Sequence, residues 1–207
     1  MQRTLRGTWI KAAVALSLIA GSAVAVSAPP ASANSTKLPA YRHVFYIVEE
    51  NRSFSQIIGN PDAPTFNALA TQYSLATSYF GTSHPSEPNY VAMVGGSDFG
   101  ITDDGSYLTN RVDAPSLASQ LEARGLSWKS YQQSLPFAGF TGTCYPCNAS
   151  DPSSLYASKH NGFLNFAGVQ DDPAEMAKTV PIEQLNTDLA NNTVPTFSFI
   201  VPDQCHD

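Results

Sequence analysis

The chain has 207 residues, 15 of them proline, with 11% aromatic residues, 14% charged residues and a formal net charge of −6. That length bounds it to one domain or part of a larger one, and the aromatic content excludes a disordered chain. Its acidity argues against a nucleic-acid partner or an anionic-membrane surface, both of which favour Lys/Arg patches.

The first 33 residues read as a secretory signal peptide. A basic start with Arg3, Arg6 and Lys11 is followed by an uncharged apolar run over 12–26 and by the small-residue pattern Ala31-Ser32-Ala33. Cuts after Ala25 or Ala28 fit as well. The run is too short and too interrupted for a stable membrane anchor. Its removal takes the formal charge from −6 to −9, because three cations and no acids leave. A secreted, extracellular product with a short linker over 34–40 and a domain over 41–207 is therefore expected.

Residues 42–50 (RHVFYIVEE) have the content of a buried strand. Residues 64–72 open on a proline and predict a helix. Residues 75–80 (LATSYF) predict a second strand. Proline-flanked Ser86 leads into a helix that stops at Gly95-Gly96. Asp113 is the expected N-cap of the next helix, with Pro115 in its first turn and Gly125 as its stop. Residues 126–133 predict a strand, 134–165 an irregular region, 181–191 a helix and 195–203 a strongly apolar strand.

Strand and helix signals alternate, which predicts an α/β layered fold with a mostly parallel sheet. Cys144 and Cys147 form a CYPC in polar surroundings. This reads as a loop-stapling disulfide in an oxidising compartment, and it leaves Cys205 odd.

Ligands of parallel sheets gather at the carboxyl ends of strands. Three polar clusters fall there: Glu49-Glu50-Asn51, the stretch from Ser83 to Asn89, and the stretch from Asp203 to Asp207. Glu50 and Asn51 offer a carboxylate and an amide oxygen, a pair suited to a hard divalent cation, although both also read as turn residues. Ser86 at a helix start faces unpaired N–H groups. That place suits a phosphate or a nucleophile beside a metal, and equally an ordinary N-cap. Asn89, one turn on, can donate to a phosphoryl oxygen. His84 is too close in sequence to reach Ser86 readily. Asp203, His206 and Asp207 read as metal ligands or as polar surface residues.

Taken in order, VFYIVEENRSF, SHPSEPNYVAMVGG and VPDQCHD resemble the secreted phosphoesterase family of bacterial phospholipases C and acid phosphatases, in the alkaline-phosphatase-like superfamily. The resemblance covers about residues 41–207. It implies an alkaline-phosphatase-like layered sandwich and metal-dependent hydrolysis of phosphate esters. Glu50 and Asn51 match the family's metal-binding pair, Ser86 its nucleophile and Asn89 its phosphate-binding asparagine. Asp203 and Asp207 match more loosely as further metal ligands, and His206 does not fit their spacing.

The metal is expected to be divalent (Zn, Ca, Mg or Mn), and the substrate a small phosphate ester or a phospholipid head group. Family members continue to a later Asp-Glu or Asp-His pair, so an incomplete fold and metal site are expected here. Rival readings are an inactive fragment or anion-binding protein, a metal-free serine esterase using Ser86 and His84, and a purely structural secreted protein.

Overall fold

The structure, a computed structural model, describes residues 40–147 and 154–207. The signal peptide expected over 1–33, the linker up to residue 39 and part of the expected irregular region, 148–153, lie outside the described residues.

In chain order the strands are β1 (Val44–Ile47), β2 (Trp128–Gln132), β3 (Cys144–Tyr145), β4 (Tyr156–Ala157), β5 (Thr179–Pro181) and β6 (Phe197–Val201). The helices are α1 (Phe54–Ile57), α2 (Pro64–Gln72), α3 (Glu87–Gly95), α4 (Leu117–Glu122), α5 (Ala167–Gln170), α6 (Pro173–Met176) and α7 (Gln184–Asn191). Two 3-10 turns, Ser158–His160 and Gly162–Asn165, precede α5.

The fold is α/β, with a parallel four-stranded sheet in the order β1-β6-β2-β5. Val44 of β1 and Trp128 of β2 both sit opposite Phe197, and Ser130 of β2 opposite Thr179 of β5. β3 and β4 form a separate antiparallel pair.

Alternation along the central strands sorts side chains into two layers. Phe197, Phe199 and Val201 of β6, with Trp128 of β2, pack against Tyr90, Val91 and Val94 of α3 and against Phe163 and Leu164. On the other face Ile200 and Tyr131 pack with Val180, Ile182 and Leu185 at the start of α7. Stacked Trp128–Phe163 rings, 4.4 Å apart, and an edge-on Phe163–Phe199 pair at 5.5 Å join the sheet to the 3-10 turns.

Several sequence expectations are corrected. Residues 75–80 form no strand. A turn at Thr77-Ser78 breaks the run, and Tyr79 and Phe80 are 72% and 80% exposed. β-branched and aromatic content reports a side chain's fit to a sheet, not whether an edge is on offer. β1 is a strand but not a buried one, because it lies at the sheet edge with all four residues exposed.

The cap of α4 is Ser116, whose Oγ accepts from the Ser119 N–H at 3.4 Å, in place of Asp113. Residues 181–191 split into the end of β5 and the helix α7. Pro181 is tolerated because β5 is an edge strand. The region 134–165 holds the β3–β4 pair, and Cys144 and Cys147 are disulfide-bonded while Cys205 is free.

Candidate active site

The strand β1 delivers Glu50 to the carboxyl edge of the sheet, β6 delivers the 203–207 turn, and α3 begins beside them. Ser86 takes the N-cap position of α3 but its side chain makes no capping bond. Its hydroxyl instead donates to Glu50 Oε1 at 3.4 Å. The two residues lie 36 positions apart, and the fold brings them together.

The backbone around Ser86 is fixed from three sides. Glu87 is fully buried: Asn165 Nδ2 donates to its Oε1 at 2.7 Å, and the Ser106 N–H and Asn110 Nδ2 donate to its Oε2 at 3.0 and 3.2 Å. The Glu87 N–H donates to Asp104 Oδ1 at 2.9 Å. The Asn89 amide staples the preceding loop. Its Oδ1 accepts from the N–H groups of Thr82 and Ser83, and its Nδ2 faces the carbonyls of Ser83, Pro85 and Ser86 at 2.7, 2.9 and 3.4 Å. Asn51 lies in the same cleft with a left-handed backbone, φ 62°. His84 also lines the cleft and makes no side-chain hydrogen bond among the described residues.

The group missed from sequence is His160. Its Nε2 lies 3.2 Å from Glu50 Oε1 and its Nδ1 3.6 Å from Asp207 Oδ2. Each residue of Lys159-His160-Asn161-Gly162 has a separate task. Lys159 Nζ pairs with Asp104 Oδ2 at 2.9 Å. His160 enters the site and stacks on Tyr90, with centroids 4.8 Å apart. Asn161 ties the turn to the sheet, accepting from Ser130 Oγ at 3.2 Å and donating to Thr179 Oγ1 at 3.3 Å. Gly162 lies against α3 so closely that a Cβ would overlap the Tyr90 carbonyl. The available signal was a buried-prone histidine, one of only four in the chain, just before the apolar run GFLNF. No periodicity marks it.

Asp203 stands apart from that cluster. Its Oδ2 accepts from Ser134 Oγ at 2.6 Å, and its Oδ1 pairs with His206 Nδ1 at 2.7 Å and accepts from the Cys205 N–H at 3.1 Å. Its carbonyl accepts from the Asp207 N–H, so Asp203 shapes the turn that presents Asp207. His206 points at Asp203 and is largely exposed.

Glu50, His160 and Asp207 can place donor atoms within 4.8 Å of one another. Three buried polar atoms there have no hydrogen-bond partner: His160 Nε2, Asp207 Oδ2 and the Tyr90 hydroxyl. Nε2 stays unpartnered despite its approach to Glu50, because the geometry is not that of a hydrogen bond. The electrostatics are unfavourable as they stand. Burial, then the charge of Glu50, raises the Asp207 carboxyl above its ordinary value. Burial, then Asp207, raises Glu49. Burial also pushes Glu50 up, but the facing His160 and the Ser86 hydroxyl outweigh it and leave that carboxyl lowered. Burial, then the charges of Glu50 and Asp207, pushes the Tyr90 hydroxyl far above its ordinary range. Crowded carboxylates, an imidazole and orphaned polar atoms form a donor set that fits a divalent cation.

The cluster lies at one side of a cleft of about 990 Å3 whose lining includes Glu50, Asn51, Ser86, Asn89, Tyr90 and Lys159. A model described as "Phosphoesterase family" matches residues 60–207. A probable acid phosphatase of Kluyveromyces lactis is 32% identical over 81% of this chain and 39% of its own length. A phosphatidylinositol-3-phosphatase of Mycobacterium tuberculosis is 33% identical over 100% of this chain and 64% of its own. An acid phosphatase of Aspergillus fumigatus is 29% identical over 90% of this chain and 40% of its own. The chain thus spans less than two thirds of the length of each of these relatives.

Proposed function

The chain belongs to the Phosphoesterase family, and from that premise we propose that it is a secreted, metal-dependent hydrolase of phosphate ester bonds with Ser86 as nucleophile. The observation that carries this reading is the Ser86 hydroxyl, freed from capping α3 and turned onto Glu50 in a cluster with His160 and Asp207.

Glu50, His160 and Asp207 would hold the cation, with Asn51 as a further oxygen donor from the cleft wall and Asp203 acting on Asp207. A divalent ion bound there would supply Lewis-acid charge that offsets the carboxylates and favours the deprotonated serine. The Ser86 proton faces Glu50 Oε1. Ser86 Oγ forms a bond to phosphorus as the bond to the leaving alcohol breaks, and water then cleaves the phosphoserine and restores the hydroxyl. Asn89 holds the loop that aims Ser86. A contact from Asn89 to a phosphoryl oxygen would replace its longest bond, the one to the Ser86 carbonyl. The Glu87 N–H is already taken by Asp104, so the helix start offers fewer free donors than its position suggests.

The names of the fungal relatives support phosphomonoesters, and that of the mycobacterial relative supports a phospholipid head group. Phospholipase C-like diester cleavage would use the same nucleophile. Export rests on the basic and apolar leader. Among the described residues no helix is long and apolar enough to cross a membrane.

The test is hydrolysis of p-nitrophenyl phosphate by the metal-supplemented protein, by Ser86→Ala and after chelation. Loss of turnover in both arms, with recovery on adding Zn, Mn, Mg or Ca to the chelated sample, is expected. Full activity in Ser86→Ala refutes the nucleophile, and indifference to chelator refutes the metal.

A further inference from the structure

The cleft is larger than the reaction needs. Its volume of about 990 Å3 is at the upper end for small-molecule sites, whereas Ser86 and Glu50 of its lining meet at one place, with His160 against Glu50. Burial grades outward from there: His160 is buried, Ser86 and Glu50 are half-buried, and Arg52 is exposed. A phosphoryl group at Ser86 therefore leaves the alcohol portion of the ester facing the outer wall.

That wall carries one uncommitted cation. Of the two Lys/Arg side chains lining the cleft, Lys159 is neutralised by Asp104 at 2.9 Å. Arg52 makes no ion pair and no side-chain hydrogen bond among the described residues. Arg111, equally surface-placed, is paired with Asp171. The backbone on both sides of Arg52 is set: Asn51 is left-handed, and the Ser53 N–H donates to Gln56 Oε1 at 2.8 Å at the start of α1. A guanidinium offers a planar fork matched to phosphate and carboxylate oxygens. An unpaired one in a lining shared with Glu49 and Glu50 offers positive charge to an anion that those carboxylates would otherwise repel.

We propose that Arg52 is a specificity-determining residue that binds a second anionic group of the substrate, so that phosphate esters whose alcohol portion is itself anionic are preferred over those whose alcohol portion is neutral. The proposal rests on the phosphate-ester reading of the site, with Arg52 contacting the alcohol portion and not the phosphoryl group that is transferred.

The test measures binding, so that it does not depend on turnover. Calorimetry on the full chain with saturating divalent metal, carrying Ser86→Ala, compares glucose 6-phosphate with glucose 1,6-bisphosphate. The bisphosphate is expected to bind at least tenfold more tightly. Adding Arg52→Gln is expected to bring that ratio close to one, and Arg52→Lys to keep part of it. A ratio near one with Arg52 present, a ratio unchanged by Arg52→Gln, equal loss for both sugars, or no binding of either overturns the proposal. Turnover of glucose 6-phosphate by the unaltered chain is run alongside. Its failure with an Arg52-dependent binding ratio intact counts against the hydrolase reading and leaves the anion site standing.

Discussion

Replacing Asp188 by asparagine should unmask one of the strongest single supports of the sheet. Asp188 lies in α7 with its carboxylate buried. Lys129 Nζ and Tyr131 Oη donate to its Oδ2 at 2.6 and 2.7 Å, and Thr193 Oγ1 and Gln184 Nε2 to its Oδ1 at 2.9 and 3.1 Å. Burial pushes its pKa up, but those four donors prevail and lower it from 3.8 to about 2. At ~1.36 kcal/mol per pH unit, that gap corresponds to about 2 kcal/mol of folding free energy near neutral pH. Because the folded value is the lower one, the contribution is complete well above pH 4 and fades as pH falls towards 2. At pH 3 the same linkage relation leaves roughly half of it. Urea unfolding of both proteins at pH 7 and pH 3 measures this directly. Asp188→Asn should be less stable by about 2–3 kcal/mol at pH 7, with the gap shrinking at pH 3. A gap absent at pH 7, or equal at both values, refutes the assignment.

Two further outcomes follow from the site. His160→Gln should weaken zinc or manganese binding at least tenfold by calorimetry, since even losing a group that only orients a metal's ligands costs about 10–100-fold; unchanged affinity removes His160 from the donor set. Glu87→Gln places an amide NH2 against N–H donors from Ser106, Asn110 or Asn165, so its urea midpoint should fall by the equivalent of about 1–3 kcal/mol. An unchanged midpoint would show that the buried carboxylate is dispensable.

Local chemistry made much of this fold legible. Pro64 set the start of α2, and Gly96, left-handed at φ 75°, set the end of α3. The apolar centre of 195–203 is the central strand β6, flanked by β1 and β2. Glu50 was readable because it follows the end of β1, and strand ends in parallel sheets are where sites form; Ser86 was readable as a proline-flanked helix start, the N-cap of α3, although the strand expected before it is absent. What was hidden depends on tertiary placement. His160 sits on a 3-10 turn with no period to reveal it, and only its insertion between Tyr90 and Glu50 brings it to the candidate site. Residues 75–80 have strand chemistry but no partner edge. Asp203 was expected among the ligands; its oxygens face Ser134, His206 and the Cys205 N–H, whereas Asp207 lies with Glu50 and His160.

Gly162 gives the region an unexpected kind of vulnerability. It has no side chain and contacts no candidate ligand, yet the smallest addition there collides with the Tyr90 carbonyl and must pry the imidazole-bearing turn away from α3. In a saturation survey of this chain, position 162 should therefore tolerate as little as the donor residues themselves. A reader ranking importance by chemical functionality alone would pass over a spot where an extra methyl displaces the turn that carries His160.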